Sequence, residues 1–384
     1  MSNQTKVSFY AAIGPELIRY EADIIGGFLS PREITSMPLD IQYIWRHPDI
    51  PMAYLAISNG GPGKRGNDNR LIACRLDDSE GATLFGPSAA LPSRPLHLSL
   101  DRQNAHILAA YNDPSSLTVH QINSDGAIGA RVHQSTDLDF GIFGHQIMVT
   151  PDNKAAILPC RGHDAEGNLL EQPGALKIFG YENGILSNKR SIAPNGGNGF
   201  GARHLDFHPT KPWLFLGIER QSELHVYEMA HGDVRPEPLH VITTLERDNS
   251  GPARQAFSAI HVHPNGRFVY VSNRAYGVPH KPITPDGENS ITVFKIDPRT
   301  AEPIQIQHAP TRGHLPRTFS IDTSGSMLVA ANSERTQKLN LDGEPYEIDI
   351  SLVAYRIGED GRLTETNQVD FPGRSGRLFW AGFL

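Results

Sequence analysis

The chain has 384 residues, a formal net charge of −7 and a pI near 6.2. That balance excludes a global basic footprint for nucleic acid, so any anion must be held by a local positive patch. No stretch approaches the roughly 18 apolar residues of a membrane span, and MSNQTKVSFYAAIG lacks the basic-then-apolar pattern of a secretory leader, so the reading is a soluble, cytoplasmic protein with neither a membrane nor a nucleic-acid partner.

Taken in chain order, the first elements are three strand-like segments, VSFYAAIG, ELIRYEAD and REITSMPL. A repeat then begins. Each copy is a short apolar strand, a turn rich in Pro, Asp, Asn or Gly, and a strongly apolar strand. The copies are IQYIWRHPDIPMAYLAIS from Ile41, PLHLSLDRQNAHILAAY from Pro95, HQIMVTPDNKAAILP from His145, RHLDFHPTKPWLFLG from Arg203, SAIHVHPNGRFVYVS from Ser258 and RTFSIDTSGSMLVAA from Arg317. A further alternating strand follows each, such as ELHVYEM or SITVFKI, and then a more variable one such as HVITTLE. The period is roughly 45 to 60 residues, near that of propeller blades. Six units run from about Asp40 to Pro372, and RLFWAGFL remains at the end. Three strands left at the start and one at the end make a seventh blade. The expected fold is all-β: one seven-bladed β-propeller domain over residues 1–384, with one blade closed by N- and C-terminal strands. Cys74 and Cys160 lie in apolar strand-like runs and read as small buried hydrophobes.

In such a blade the start of strand one and the end of strand two lie at the same face. Aligned on the turn, those positions are sixteen apart: Arg203 with Glu219, His145 with Arg161, Ser258 with Arg274, Arg317 with Ser333, Gln42 with Ser58 and Leu96 with Asn112. His97 is one step further along. One mouth should therefore gather His145, Arg161, Arg203, Glu219, Arg274, Arg317 and Asn112. Any one arginine could be an inter-blade ion pair, but several converging on one opening point to an anion site, because planar guanidiniums favour bidentate carboxylate or phosphate binding. Insertions from Asn59, Arg161, Tyr276 and Glu334 all follow strand two and crown the same face. His47, His208 and His263 occupy the opposite turns and read as structural. His204 is expected to face a neighbouring blade. No HExxH zinc motif, Gly-rich phosphate loop or GxSxG elbow occurs.

The stretches GHQIMVTPDNKAAILP, FGARHLDFHPTKPWLFLGIER, FSAIHVHPNGRFVYVSNR, LPRTFSIDTSGSMLVAAN and RPLHLSLDRQNAHILAAYN resemble the propeller lactonase family, which includes a 6-phosphogluconolactonase type and the carboxy-muconate lactonizing enzyme. The resemblance covers nearly the whole chain. It implies that His145, Arg203, Glu219 and Arg274 are catalytic and that Arg317 is a further anion contact. Arg161, His97 and Asn112 are the remaining candidates for substrate binding. The longer mouth loops and Arg161 depart from compact members, and these loops would line the substrate. The function expected is hydrolysis of an anionic lactone, a small-molecule partner, with no metal and no cofactor. His145, near its working pKa without help, or Glu219 would be the base; Arg203 and Arg274 would stabilise the oxyanion or hold the substrate's anion. The same residues could serve a lactonizing cycloisomerase. A non-catalytic binding propeller would want an apolar mouth instead, and a calcium-dependent lactonase more oxygen ligands than Glu219 and Asn112 supply.

Overall fold

The computed structural model describes residues 5–77, 81–246, 253–276, 287–340 and 342–384. Seven antiparallel sheets form the blades of a β-propeller. The inner strands of blades 1 to 6 are Asp40–Arg46, Pro95–Leu100, Met148–Val149, Ala202–Phe207, Arg254–Val262 and Pro316–Ile321. Blade 7 is built from both ends of the chain. Lys6–Ile13, Glu16–Asp23 and Phe28–Ser36 supply its outer three strands, and Leu378–Phe383 is its inner strand. Phe9 faces Phe383 across that seam, and Ala12 faces Trp380. This closure pairs the inner edge of Lys6–Ile13, which would otherwise stay open.

The core is a ring of interfaces. Each of the seven apolar clusters lies between two consecutive blades. The second strands are buried on both faces, as in MAYLAIS at Met52–Ser58 and WLFLGI at Trp213–Ile218, which is why they read as continuous hydrophobic runs. Where blades 4 and 5 meet, the ring of Phe257 occupies the place a Cβ on Gly217 would take, at 1.8 Å, so only glycine fits there. Cys74 and Cys160 are free and buried in these interfaces, as expected.

The face carrying the first turns is built by one repeated device. In each of blades 1 to 6 a side chain accepts hydrogen bonds from the backbone of the turn that follows strand one. His47 takes Asp49 and Ile50 N–H, Asp101 takes Ala105 and His106, and Thr150 takes Ala155. His208 takes Thr210 and Lys211, His263 takes Asn265, and Asp322 takes Ser326 and Met327. With Nδ1 accepting, a neutral ring carries its proton on Nε2. His208 Nε2 thus donates to Gly266 O at 2.9 Å, and His263 Nε2 to Gly325 O at 2.8 Å, each reaching the next blade's turn. These histidines are structural, as the sequence suggested.

The opposite face differs. In every blade the pairing of strands one and two slips by one residue near the mouth. Ala202 pairs with Ile218 but His204 with Gly217, leaving Arg203 as the extra residue. The same slip isolates Gln42, Leu96 and Arg317, falls at Ser258–Ala259 in blade 5, and leaves Phe379 extra in blade 7. In blade 3, Gly144 pairs with Cys160 but Met148 with Ile157, so the slip begins at His145. The sixteen-residue offset therefore belongs to the pair just outside the slip, Ala202 with Ile218, rather than to Arg203 with Glu219. A bulge re-aims its extra side chain, and here it does so seven times around one opening. No helix among the described residues is long and apolar enough to cross a membrane.

Closure predicts a specific vulnerability. Trp380 is buried between blades 7 and 1 against Tyr10, Leu17 and Ile44. Trp380→Ala should cost about 3–5 kcal/mol, read from the denaturant midpoint, and deletion of residues 377–384 should abolish cooperative unfolding.

Candidate active site

The bulges bring His145, Arg203 and Arg317 to the mouth from strand one, and the ends of the second strands bring Asn112, Arg161, Glu219 and Arg274. Glu219 is the centre of this group. Its Oε1 accepts from Arg161 Nε at 3.0 Å, and its Oε2 lies 2.9 Å from Arg203 Nε and 3.3 Å from Arg274 Nη2. All four side chains are buried. Burial alone would raise the Glu219 pKa, but Arg274, Arg161 and Arg203 overcome it and hold the carboxyl at about 2. Glu219 is therefore an anion shared by three guanidiniums, which suits it to orienting them rather than to taking a proton. Arg203 is also bonded through Nη1 to Ser258 O, and burial together with Arg274 pushes its pKa well below the usual value.

Arg161 has a second partner. Its Nη2 lies 2.7 Å from Asp164, which also pairs with Arg220 and Arg254. Arg161 thus ties the loop after blade 3's second strand to the buried cluster. Sequence reading saw the arginine but not Asp164, whose role depends on how that loop folds back.

His145 is buried, and its Nδ1 has no hydrogen-bond partner among the described residues. Burial first, then Arg203, His204, Arg317 and Arg274, lowers its pKa well below the ordinary histidine value. The sequence placed it near its working pKa without help; burial, with four neighbouring groups behind it, instead pushes that pKa down. His204 faces His145 of the neighbouring blade 3, as expected. It lies one position below the bulge and points along the channel, with ring centroids 4.9 Å from His145 and 6.1 Å from His97. His97 is fully buried, 4.2 Å from the ring of Tyr43, and burial lowers its pKa to about 3. It belongs to this lower tier, beneath the mouth.

Above His145 a cavity of about 410 Å³ opens. His145, Arg317, Asn112 and Phe143 line it, with Arg94 and His163. The loop after blade 1's second strand forms its rim through residues 61–65, anchored by Arg65 to Asp113 at 2.6 Å. Residues 277–286 of the insertion expected from Tyr276 lie outside the described residues. The insertion from Glu334 forms a hairpin, Thr336–Leu339 with Pro345–Ile348. Arg94 was missed by sequence reading because it falls one residue before the aligned copy begins at Pro95. Among the described residues no group of three or more His, Cys, Asp or Glu is placed to hold a metal.

The family model described as Lactonase, 7-bladed beta-propeller matches residues 26–341. The chain belongs to that family. A 6-phosphogluconolactonase of Pectobacterium carotovorum is 28% identical over 301 residues, covering 76% of this chain and 80% of the relative. The 6-phosphogluconolactonase of Bacillus subtilis is 28% identical over 279 residues, covering 69% and 70%. Among solved structures, a periplasmic gluconolactonase of Pseudomonas aeruginosa superposes with a TM-score of 0.72 at 17% identity, covering 95% and 96%. A Lactobacillus plantarum protein gives 0.73 at 19%, covering 97% and 98%. At such identities the structures speak for the fold.

Glu219→Gln removes the countercharge of three buried guanidiniums and should destabilise by about 3–5 kcal/mol. The folded carboxyl titrates below its ordinary value of 4.5. Its contribution is thus complete above that pH and lost as pH falls toward 2. Denaturation from pH 7 to 3 should show the gap between wild type and variant closing on the acid side.

Proposed function

We propose that the protein is a metal-independent lactone hydrolase acting on an anionic lactone of the sugar-acid type, with His145 as general base. The observation that carries this reading is a neutral, buried histidine opening onto a cavity of about 410 Å³ beside an arginine cluster. The names of the curated relatives support the substrate class.

A neutral imidazole can take a proton from water as the water oxygen attacks the lactone carbonyl carbon. Negative charge then moves onto the carbonyl oxygen, where guanidinium donors stabilise it. Arg274 suits this role: one contact with Glu219 orients it, its Nε has no partner among the described residues, and its guanidinium lies 5.0 Å from the Tyr276 ring centroid. Arg203, deeper, ion-paired with Glu219 and hydrogen-bonded to Ser258 O, supplies fixed positive charge behind it. The ring C–O bond breaks as the intermediate collapses. The leaving oxygen recovers the proton from His145, and the product acid ionises into solution. Glu219 keeps the guanidiniums in place throughout. The charged walls argue against a passive interaction platform, whose mouth would be apolar.

Arg274→Lys keeps the charge but loses the planar fork. It should lower kcat/KM on sugar lactones by about 30- to 1,000-fold, corresponding to roughly 2–4 kcal/mol, with the melting temperature nearly unchanged. A large stability loss with normal turnover would assign the residue to structure. His145→Ala should cost about 100-fold or more in kcat. Because the folded His145 pKa is depressed, wild-type kcat/KM should stay level from pH 8 to below 6.5 and fall only on the acid side of that. Turnover should be unchanged in EDTA; loss restored by calcium would overturn the metal-independent reading.

A further inference from the structure

The axis below the mouth holds titratable side chains that the reaction above does not use. His204 and Asp206 stand two residues apart on blade 4's inner strand, so both face the axis. Blade 5 brings His261 and blade 2 brings His97. His145 and His204 form an edge-to-face pair with ring centroids 4.9 Å apart, and His145 Nδ1 has no hydrogen-bond partner among the described residues. Lower down, His261 Nδ1 lies 3.8 Å from Asp206 Oδ2. Two backbone donors fix the Asp206 carboxyl, Phe207 N–H to Oδ1 and Val262 N–H to Oδ2, both at 2.8 Å. The side chains of His261 and Asp206 keep 41% and 26% of their accessible surface. Polar groups with that much free surface inside the ring give the axis both room and partners for water. His97 is wall rather than path: it is fully buried, and its Nδ1 takes the Ile147 N–H.

Charge is graded along this axis. At the mouth Arg94, Arg161, Arg203, Arg274 and Arg317 outnumber the carboxylates Glu219 and Asp164. The lower axis carries the Asp206 carboxyl, faced by His261, Arg102 and Tyr43. An excess proton is therefore repelled from the mouth and drawn downward. A lactone seated above His145 also covers the upper exit. Proton affinity rises in the same direction. Burial first, then Arg203, His97, Arg317 and His261, holds the His204 pKa well below the ordinary value, as burial and the mouth arginines do for His145. Burial lowers the His261 pKa too, but Asp206 and the Phe319 backbone oppose it. Burial raises the Asp206 pKa above the usual carboxyl value.

We propose that the propeller axis is a proton conduit, running from His145 through His204 and His261 to Asp206 and out at the face of the first turns, with water joining the side chains. Its use in turnover rests on the lactonase reading. Adding water to a lactone and ionising the product acid releases one proton net. The acid O–H bond breaks, its electron pair stays on the carboxylate, and the proton bonds to a ring nitrogen of His145. An imidazole that takes a proton at one nitrogen gives one up from the other, so His145 returns to its neutral form as the charge moves to His204. The same exchange carries it to His261 and the Asp206 carboxyl, which passes it to solvent. His204, His261 and Asp206 are thus relay residues rather than catalytic ones, since none touches the lactone.

The test compares wild type, Asp206→Asn and His261→Gln in two measurements. The first is kcat on sugar lactones in dilute and in concentrated imidazole buffer, because a small buffer entering by the mouth can remove the proton in place of the relay. Wild-type kcat should not depend on buffer concentration. Each variant should lose about 10-fold in dilute buffer and recover it in concentrated buffer, with KM unchanged. Buffer dependence in wild type, no loss in the variants, or a loss that buffer does not restore would overturn the conduit. If one variant does not fold, the other decides. The second measurement needs no substrate: nuclear magnetic resonance follows hydrogen–deuterium exchange of the ring N–H groups in wild type. His204 and His261 should exchange ahead of His208 and His263, whose Nε2–H groups are held by Gly266 O and Gly325 O. Exchange no faster than theirs would overturn the conduit even where lactones are hydrolysed. Fast exchange without turnover of any lactone would keep the water path and overturn the lactonase reading.

Discussion

Closure of the ring is the constraint from which the rest of this structure follows. A blade buries both of its faces, so none can be stable alone, and the seven apolar clusters exist only as contacts between neighbours. The seam between Lys6–Ile13 and Leu378–Phe383 completes the last of them. Once the ring is closed, seven inner strands converge on one axis. Their side chains below the mouth have nowhere to go but the channel, where Tyr43, His97 and His204 meet. Convergence also forces the mouth residues close together, and it is this crowding that gives Glu219 three cationic neighbours from three blades.

The two faces solve different problems with the same repeat. On one, a side-chain acceptor in each of blades 1 to 6 satisfies the turn backbone, and His208 and His263 extend the bond to the next blade. That face has short turns with their polar groups answered locally. On the other, a one-residue slip turns one side chain per blade toward the opening. Identical backbone geometry thus presents Gln42, Leu96, His145, Arg203, Arg317 and Phe379 in succession. Chemistry is written at a structurally constant position, with the longer loops added outside it.

The electrostatics of the mouth depend on burial as much as on charge. The carboxyl of Glu219 would be driven toward protonation by its surroundings and is held ionised only because three arginines outweigh that tendency. Burial first, and then the same cations, push the His145 pKa down. A neutral imidazole and a fixed carboxylate therefore stand in one buried cluster of cations.

The sequence by itself determined the architecture. The turn motifs from Ile41 to Arg317 set the repeat, and the unmatched segments at the two ends required the split blade, because backbone periodicity and burial on both faces are local properties of each strand. It also named His145, Arg203, Glu219, Arg274 and Arg317 as facing one mouth, since their place relative to the turn is fixed by strand length. Only the tertiary structure decided what these residues do to one another. The slip that makes Arg203 a bulge residue, the turning of His204 into the channel, the depressed titration of His145 and the meeting of Arg94 with Phe379 all arise from contacts across blades. Such contacts join residues far apart in the chain, and their energies depend on distance and burial, which no spacing along a sequence contains.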